Sequence, residues 1–304
     1  MLKRPNTPTM KSIRNFPFSK LLFKLTKLTI IFQVLYIYFT PKVEDLNKEN
    51  LTKLLPTHDN FGVLNLVIAH PDDEIMFFSP TILQLIDHVQ ELNVVCLSNG
   101  DADGLGELRA KELKDAIGYL TVNRNLRNVS LNILDYTDGQ NEVWSGVATD
   151  LKKYILTSEP GVKQKDIILT FDREGISGHR NHIACNEGVI SYLKTIKSNS
   201  FVFLELKSLS TWQIISKYSG VVPKLLEIIY NKIRASNKTF MSYLPNRDSI
   251  ATDSNVCFIS TFDQYALSFA AMCYAHKSQM VWFRYLWWSF SRYVFVNDLS
   301  RISV

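Results

Sequence analysis

The stretch VLNLVIAHPDDE, residues 63–74, joins an apolar run to a histidine, a proline and three consecutive acidic residues. The run from Val63 to Ala69 has the length of a buried β-strand. Proline and acidic residues directly after it are typical of a helix N-terminus, where they complement the helix dipole. They do not account for His70, because a cationic ring is disfavoured there and a neutral ring needs another partner. The pattern therefore predicts a strand, a tight turn that binds a cation, and a helix.

Apolar runs of strand length alternate with segments of helical period from Phe61 onward, which indicates βα units. We expect an α/β, Rossmann-like fold, a mainly parallel sheet flanked by helices, with an N-terminal hydrophobic anchor. The predicted strands are 63–69, 92–98, 129–134, 166–171, 201–206 and 256–260, and the predicted helices are 74–89, 105–119, 144–158, 180–195 and 262–274. Ligands of such sheets bind beyond the carboxyl ends of the strands. The motifs HPDDE, NGDADG and FDREGISGHRNH all follow a predicted strand.

Composition fits one globular domain with extensions. The chain has 304 residues, of which 46% are hydrophobic, and a formal net charge of +5. We expect a basic tail at 1–20, a membrane anchor at 21–40, a linker at 41–60, the main domain at 61–275 and an aromatic, membrane-interfacial segment at 276–304. The four cysteines include no CxxC pair, so neither a zinc knuckle nor a dense disulfide framework is indicated. The basic residues cluster before the apolar run, which favours a membrane surface over nucleic acid.

The apolar run 28–40 is short for a membrane span, since as a helix it covers about 20 Å of a roughly 30 Å hydrocarbon core. Extending it to Leu21 supplies the missing length only by including Lys24 and Lys27. We expect a retained anchor that either spans the membrane or lies in its interface. A cleaved signal peptide is the alternative, but no small-residue cleavage site follows the run.

Two clusters carry candidate metal ligands. His70 and Asp73 lie three residues apart across the predicted turn, and His179 and His182 begin a predicted helix with both rings on one side. A histidine pair alone is more often a capping or solvated feature. A catalytic zinc takes three protein ligands and leaves a position for water, so the two clusters together predict a cation site. Asp172 is either an outer partner of a ligand or a turn residue.

The motifs AHPDDE and GHRNH resemble those of the zinc-dependent de-N-acetylases that act on N-acetylglucosamine attached to inositol, and the resemblance covers about residues 62–296. It implies that His70, Asp73 and His182 bind the metal, expected to be Zn²⁺. It also implies that Asp72 is the general base and that His179 assists at the tetrahedral intermediate. On chemical grounds a protonated His179 would stabilise the oxyanion, and either Asp72 or His179 supplies the proton to the leaving amine. The chemistry fits, because zinc lowers the pKa of bound water toward about 7 and an unactivated acetamide needs such a nucleophile.

The same resemblance gives two candidates for substrate binding. Arg109 follows the loop NGDADG, and its planar guanidinium suits phosphate, although a solvated helix face is the alternative. His276, in HKSQ, is a further candidate, with a surface histidine as the alternative. The aromatic block 276–297 resembles the C-terminal end of the eukaryotic phosphatidylinositol-linked branch of the family. That branch implies hydrolysis of the N-acetyl group of N-acetylglucosaminyl-phosphatidylinositol (GlcNAc-PI) during the biosynthesis of glycosylphosphatidylinositol (GPI) anchors.

The branch further implies an enzyme of the endoplasmic reticulum membrane, with a glycolipid substrate and its catalytic domain on the cytosolic face. The charge pattern conflicts with this, because seven basic residues precede the apolar run and a spanning anchor would then place the domain in the lumen. An interfacial anchor reconciles the two. Two other functions stay open, a catalytically inactive membrane scaffold that binds the glycolipid and a deacetylase of a soluble acetylamino sugar. The presence of Asp72 argues against the scaffold, and the two hydrophobic ends argue against a soluble substrate.

Overall fold

The sheet is built around a strand whose residues are all buried, as expected for a central strand covered on both faces. The computed structural model describes residues 18–55, 61–159, 164–196, 201–209, 217–236 and 255–303. Its strands are β1 (Phe61–Ile68), β2 (Val89–Cys96), β3 (Asn128–Ile133), β4 (Asp166–Phe171), β5 (Phe201–Leu206), β6 (Asn255–Ile259) and β7 (Val296–Ile302). They form one sheet in the order β3-β2-β1-β4-β5-β7-β6.

The first five strands pair in parallel, whereas β7 runs antiparallel to both β5 and β6. Apart from 3-10 turns and a kinked four-residue turn at Gly175–Gly178, the helices of the described residues are α1 (Phe18–Leu54), α2 (Asp73–Met76), α3 (Ser79–Leu85), α4 (Gly106–Thr121), α5 (Val147–Tyr154), α6 (Arg180–Ile196), α7 (Val222–Ser236), α8 (Phe262–Tyr274) and α9 (Trp282–Phe290). The predicted α/β fold with a mainly parallel sheet is confirmed. The predicted helix at 74–89 is divided into α2 and α3, because Pro80 lies where a continuous helix would need its amide hydrogen.

The chain divides into two units, residues 1–39 and 40–304. In the first unit, α1 exposes a series of large apolar side chains: Phe23, Ile30, Ile31, Val34, Leu35, Ile37 and Tyr38. Within the described ranges, no helix is both long enough and apolar enough to cross a membrane. The anchor at 21–40 therefore stays a prediction.

Two segments differ from their predicted extent. Residues 41–54 of the predicted linker belong to α1 and lie in the second unit. Within that unit, Asn47 hydrogen-bonds to the backbone of Ile259 in β6. Its side chain donates to the Ile259 carbonyl at 2.7 Å and accepts from the Ile259 amide at 2.9 Å, as a neighbouring strand would. At the other end, the predicted boundary at 275 is wrong, because β7 is inserted between β5 and β6 and forms part of the sheet. The exposed aromatic surface of the C-terminal segment is restricted to α9 and the residues just before it.

Candidate active site

The site lies where the sheet's connections diverge. The chain leaves β1 and forms β2 on one side of it, whereas β4 pairs on the other side, which opens a crevice at the carboxyl end of β1. The turn after β1 carries His70 and leads to Asp73 at the start of α2. The first turn of α6 carries His182, beside the end of β4. The sheet topology thus brings together residues that are more than a hundred positions apart in sequence.

These three side chains converge on one point. One ligand atom from each of His70, Asp73 and His182 lies within 4.8 Å of the others, and all three residues are buried. Asp73 is central, because its Oδ1 is 3.3 Å from His182 Nε2 and its Oδ2 is 3.6 Å from His70 Nδ1. Its Oδ2 also accepts from the backbone amides of Ala69 and His70, which fixes the turn.

The hydrogen bonds of the two rings test whether this cluster fits a cation. His182 Nδ1 lies 3.2 Å from the Gly175 carbonyl, which only accepts, so Nδ1 carries the proton. Nε2 is buried and finds no hydrogen-bond partner among the described residues. His70 Nε2 faces two acceptors, Asp138 Oδ1 and Asn181 Oδ1, each at 3.1 Å, so its proton is also on the far nitrogen. A neutral ring on either side then directs a bare lone pair at the Asp73 carboxylate, and a cation between them resolves the repulsion.

The electrostatics of the cluster also favour positive charge. Burial disfavours a charged His70, but the carboxylates of Asp138 and Asp73 outweigh burial and raise the pKa of His70 to about 10. Burial alone would raise the pKa of the Asp73 carboxyl, yet the neighbouring His182 and His70 hold that pKa well below its usual range. The donor set of two imidazoles and one carboxylate is that of a catalytic zinc site, which leaves one position for water. The residues therefore fit a divalent metal.

Asp138 is a site residue that the sequence did not reveal. It lies in the loop after β3, where its Oδ1 holds His70 and its Oδ2 is 3.5 Å from Arg109 Nη1. Carboxylates that orient a metal-binding histidine are common partners of zinc sites. The signal was available, because Asp138 follows the end of a parallel strand just as HPDDE does. Asp172, in contrast, accepts from the amides of Glu174 and Gly175 and thus has the turn role.

Asp72 lies at the same turn as Asp73 but faces the other way. Its Oδ2 accepts from Arg284 Nη2 at 2.9 Å, and its Oδ1 is 3.7 Å from Arg109 Nη2. The backbone is strained there, with φ at 142° in a residue that is not glycine, a cost of about 1–3 kcal/mol. The Glu74 side chain accepts from the Asp72 amide at 3.2 Å and helps to hold this conformation. The structure thus directs Asp73 toward the histidines and Asp72 toward two guanidinium groups.

His179 stands beside the cluster with its ring centroid 4.9 Å from that of His70 and 4.7 Å from that of His182. Burial and these two neighbouring rings lower the pKa of His179 to about 4. The lowered pKa favours a neutral ring in the resting site, whereas the sequence analysis expected a protonated ring at the tetrahedral intermediate. Its Nδ1 accepts from the Asn181 amide at 3.3 Å, which leaves the proton on Nε2 and makes that nitrogen a donor.

The two predicted substrate contacts differ in outcome. Arg109 reaches the site, where it donates to the carbonyls of Gly100 at 2.9 Å and Pro71 at 3.1 Å. Gly100 has φ of 74°, and a side-chain carbon there would lie 2.6 Å from the Arg109 guanidinium carbon, so the close approach requires glycine.

His276 does not reach the pocket. It is fully buried, and its Nε2 lies 2.6 Å from Glu74 Oε1. Burial opposes a charged ring, but Glu74 and Asp72 outweigh it and raise the pKa of His276. Through Glu74, His276 supports the strained turn, which is a positioning role and not the predicted substrate contact.

The side chains surround a pocket of about 350 Å³, within the range of small-molecule sites. Besides the residues above, it is lined by side chains from α9 and from the segment before α7, namely Arg284, Trp287, Lys217 and Tyr218. Lys217 donates to the Ile176 carbonyl at 3.2 Å and is half-buried, which lowers its pKa. The pocket thus has the His-Asp-His cluster at its bottom and cationic and aromatic side chains at its rim.

Comparison with known proteins gives consistent matches. A family model described as PIG-L, GlcNAc-PI de-N-acetylase, matches residues 65–193. The N-acetylglucosaminyl-phosphatidylinositol de-N-acetylase of Saccharomyces cerevisiae is 39% identical over 296 residues, which cover 93% of this chain and 95% of that protein. The probable N-acetylglucosaminyl-phosphatidylinositol de-N-acetylase of Schizosaccharomyces pombe is 36% identical over 237 residues, 77% of this chain and 85% of that protein.

Among solved structures, the N,N'-diacetylchitobiose deacetylase from Pyrococcus horikoshii aligns with a TM-score of 0.40 and 17% identity, over 85% of this chain and 92% of that one. The relative from Saccharomyces cerevisiae is matched over nearly its whole length, and the family model covers the segment that runs from β1 to α6, which contains the predicted metal ligands. The chain belongs to the PIG-L family of GlcNAc-PI de-N-acetylases.

Proposed function

We propose that this protein hydrolyses the N-acetyl group of GlcNAc-PI, giving glucosaminyl-phosphatidylinositol and acetate in the biosynthesis of GPI anchors. The observation that carries the proposal is the pairing of a buried His-Asp-His cluster with a second carboxylate, Asp72, on the wall of one pocket. A metal with structural duties alone has no use for that second carboxylate. The names of the relatives supply the substrate.

The residues divide the chemistry among them. His70, Asp73 and His182 would hold a divalent cation, Zn²⁺ by its donor set, which when bound supplies Lewis acidity to water and to the acetamide carbonyl. Asp72 accepts the proton of the attacking water, and its two guanidinium neighbours hold the carboxylate in place. His179 donates its Nε2 hydrogen to the carbonyl oxygen as negative charge develops there.

The proton balance then assigns the last step. The attack of water moves one proton to Asp72, and the carbon–nitrogen bond breaks only if the leaving nitrogen gains a proton. His179 has a single ring proton, because its Nδ1 accepts from the Asn181 amide. Asp72 is therefore the group that returns its proton to the amine, and the products are acetate and the amino sugar.

Substrate recognition at the rim follows from its charge. Arg109, Arg284 and Lys217 surround the pocket, and within the described ranges Lys217 uses one of its donors, on the Ile176 carbonyl. Phosphate and sugar hydroxyls are the groups that such donors bind. We propose that Lys217 and Arg109 contact the inositol phosphate portion, while Arg284 stays with Asp72.

Membrane association is a further part of the proposal, with the catalytic domain on the cytosolic face of the endoplasmic reticulum. The apolar surface of α1 supports an interfacial anchor at 21–40. Glycosylation tests the side of the membrane, and the three sequons are not equivalent. Asn50 uses its side-chain amide on the Leu46 carbonyl at 2.8 Å, and Asn237 lies outside the described residues. Asn128 is exposed, so a glycan on Asn128 in native protein would place the domain in the lumen.

The experiment for the central proposal uses the full chain and GlcNAc-PI with a radiolabelled acetyl group. We expect labelled acetate to be released and the release to stop when a chelator removes the metal. A protein that binds GlcNAc-PI without releasing acetate from it would be a scaffold instead. Release from a free acetylamino sugar, at a rate equal to that from the glycolipid, would indicate the soluble substrate.

A further inference from the structure

Helix α9 has two faces of opposite character. On its inner face, Arg284 and Trp287 line the pocket, and Trp288 is fully buried. Its outer face exposes large apolar side chains to an unusual degree, up to 75% for Trp282. We define this outer face as Val281, Trp282, Phe283, Tyr285, Leu286 and Phe290. A contiguous apolar patch of this kind on a folded protein marks an interaction site.

The residue types of the outer face indicate a lipid partner. Tryptophan and tyrosine concentrate at the boundary between headgroups and acyl chains, where their rings are amphipathic. A helix that lies in the plane of the interface buries such an apolar face at the boundary between headgroups and acyl chains. A protein-binding groove is also aromatic, so this composition needs a second observation to decide between the two.

Charge supplies that observation. The whole chain has 29 acidic residues in 304, yet the segment 264–297 that surrounds α9 contains none. Lys277, just before the helix, is exposed. An apolar face in a segment without acidic residues, with an exposed lysine beside it, complements the negative potential of anionic phospholipids. An acidic side chain next to the outer face would be repelled by such a surface.

The position of the helix connects this surface to the pocket. With the sugar of the glycolipid at the metal cluster, its acyl chains have to leave through the pocket mouth. Arg284 and Trp287 form the wall of that pocket, and the outer face continues from the same helix. We propose that the outer face of α9 inserts into the headgroup boundary of an anionic bilayer, so that the pocket opens against the membrane and receives its substrate without extracting it. This inference rests on the proposed glycolipid substrate.

The first test measures insertion locally, because apolar residues elsewhere also bind membranes. Full-length protein is mixed with vesicles of phosphatidylcholine and phosphatidylinositol that carry bromine on their acyl chains, which quenches nearby tryptophan. We expect quenching in the wild type and its loss in Trp282→Phe, which keeps an apolar ring but removes the emission. Trp144→Phe is the matched control and should leave the quenching in place. Equal quenching in wild type and Trp282→Phe would overturn the proposal.

The second test compares two substrates in the double variant Trp282→Ser/Leu286→Ser. We expect kcat/KM on GlcNAc-PI in vesicles to fall by about tenfold or more. The reason is that the variant loses part of the free energy that two large apolar side chains gain on transfer into the bilayer. Turnover of the deacylated, water-soluble headgroup should be unchanged. The control Tyr119→Ser/Val122→Ser alters an exposed tyrosine of α4 and the exposed valine that follows this helix, and it should change neither rate.

The remaining outcomes are decisive as well. Equal loss on both substrates would show that the outer face supports the pocket wall, and no loss on either would show that lipid does not use this face. Both results overturn the inference. It would also be overturned if the double variant lost a protein that co-purifies with the wild type while its activity on vesicles stayed intact. If the wild type releases no acetate from either substrate, the proposed function fails, while the quenching measurement still tests the surface independently.

Discussion

Replacement of Asp138 by Asn is the sharpest test of how the site holds its metal. The carboxylate lies 3.1 Å from His70 Nε2, in a side chain only 11% exposed, and asparagine keeps an accepting oxygen there while it removes the charge. A charged hydrogen bond contributes about 1.5–3 kcal/mol and a neutral one about 0.5–1.5 kcal/mol. The difference, about 1–2 kcal/mol, corresponds to roughly tenfold weaker metal binding, in line with the about 10–100-fold effects of outer partners at zinc sites.

The assay is competition for zinc against a chromogenic chelator, combined with kcat/KM for acetate release. Asp135→Asn is the matched control, because Asp135 lies in the same loop but is exposed. Its carboxylate accepts a long hydrogen bond, 3.4 Å, from Asn99 Nδ2. We expect Asp138→Asn to lower both quantities and Asp135→Asn to lower neither. Unchanged zinc affinity in Asp138→Asn would refute the reasoning that this carboxylate orients His70 for the metal.

Three further substitutions test separate parts of the turn. Asp72→Asn should keep the metal content and lower kcat by at least about a hundredfold, since the proton acceptor is lost; loss of metal instead would mean that Asp72 is a ligand. Arg284→Met removes the 2.9 Å hydrogen bond to Asp72 and should lower kcat/KM by about ten- to a hundredfold, and unchanged kinetics would exclude this positioning role. His276→Ala leaves Glu74 buried without its partner and should lower the free energy of unfolding by about 3–5 kcal/mol in urea titrations, with His88→Ala as control. A raised KM at unchanged stability would instead restore His276 as a substrate contact.

Much of the sheet could be predicted because its strands are continuous apolar runs and its helices have a clear period. The predicted strands at 166–171 and 201–206 agree with β4 and β5 to the residue. β7 was missed because its aromatic neighbours resemble an interfacial segment. Its place in the sheet depends on antiparallel pairing with β5 and β6, which no local pattern encodes. Asn297 illustrates the point, since its side chain accepts from the Thr81 amide across 216 positions.

The candidate site also has a part that the sequence predicts and a part that it does not. The metal cluster could be predicted because the ends of parallel strands meet at one edge of the sheet, so that short motifs there converge. The contacts that the C-terminal segment makes with this turn could not be predicted. Glu74 and His276 are 202 positions apart, and Arg284 reaches Asp72 across 212 positions. Both partners come from the C-terminal segment, which the sequence alone placed outside the domain.

The most direct test of the account is the metal content of the purified full chain. Mass spectrometry of the metals in wild type, Asp73→Asn, His182→Ala and the control His88→Ala would be compared after exhaustive dialysis. We predict a single divalent cation per chain in the wild type and in His88→Ala. The two site variants should lose both this cation and the ability to release acetate. Equal metal content and equal activity in all four proteins would contradict the claim that these buried side chains share one catalytic ion.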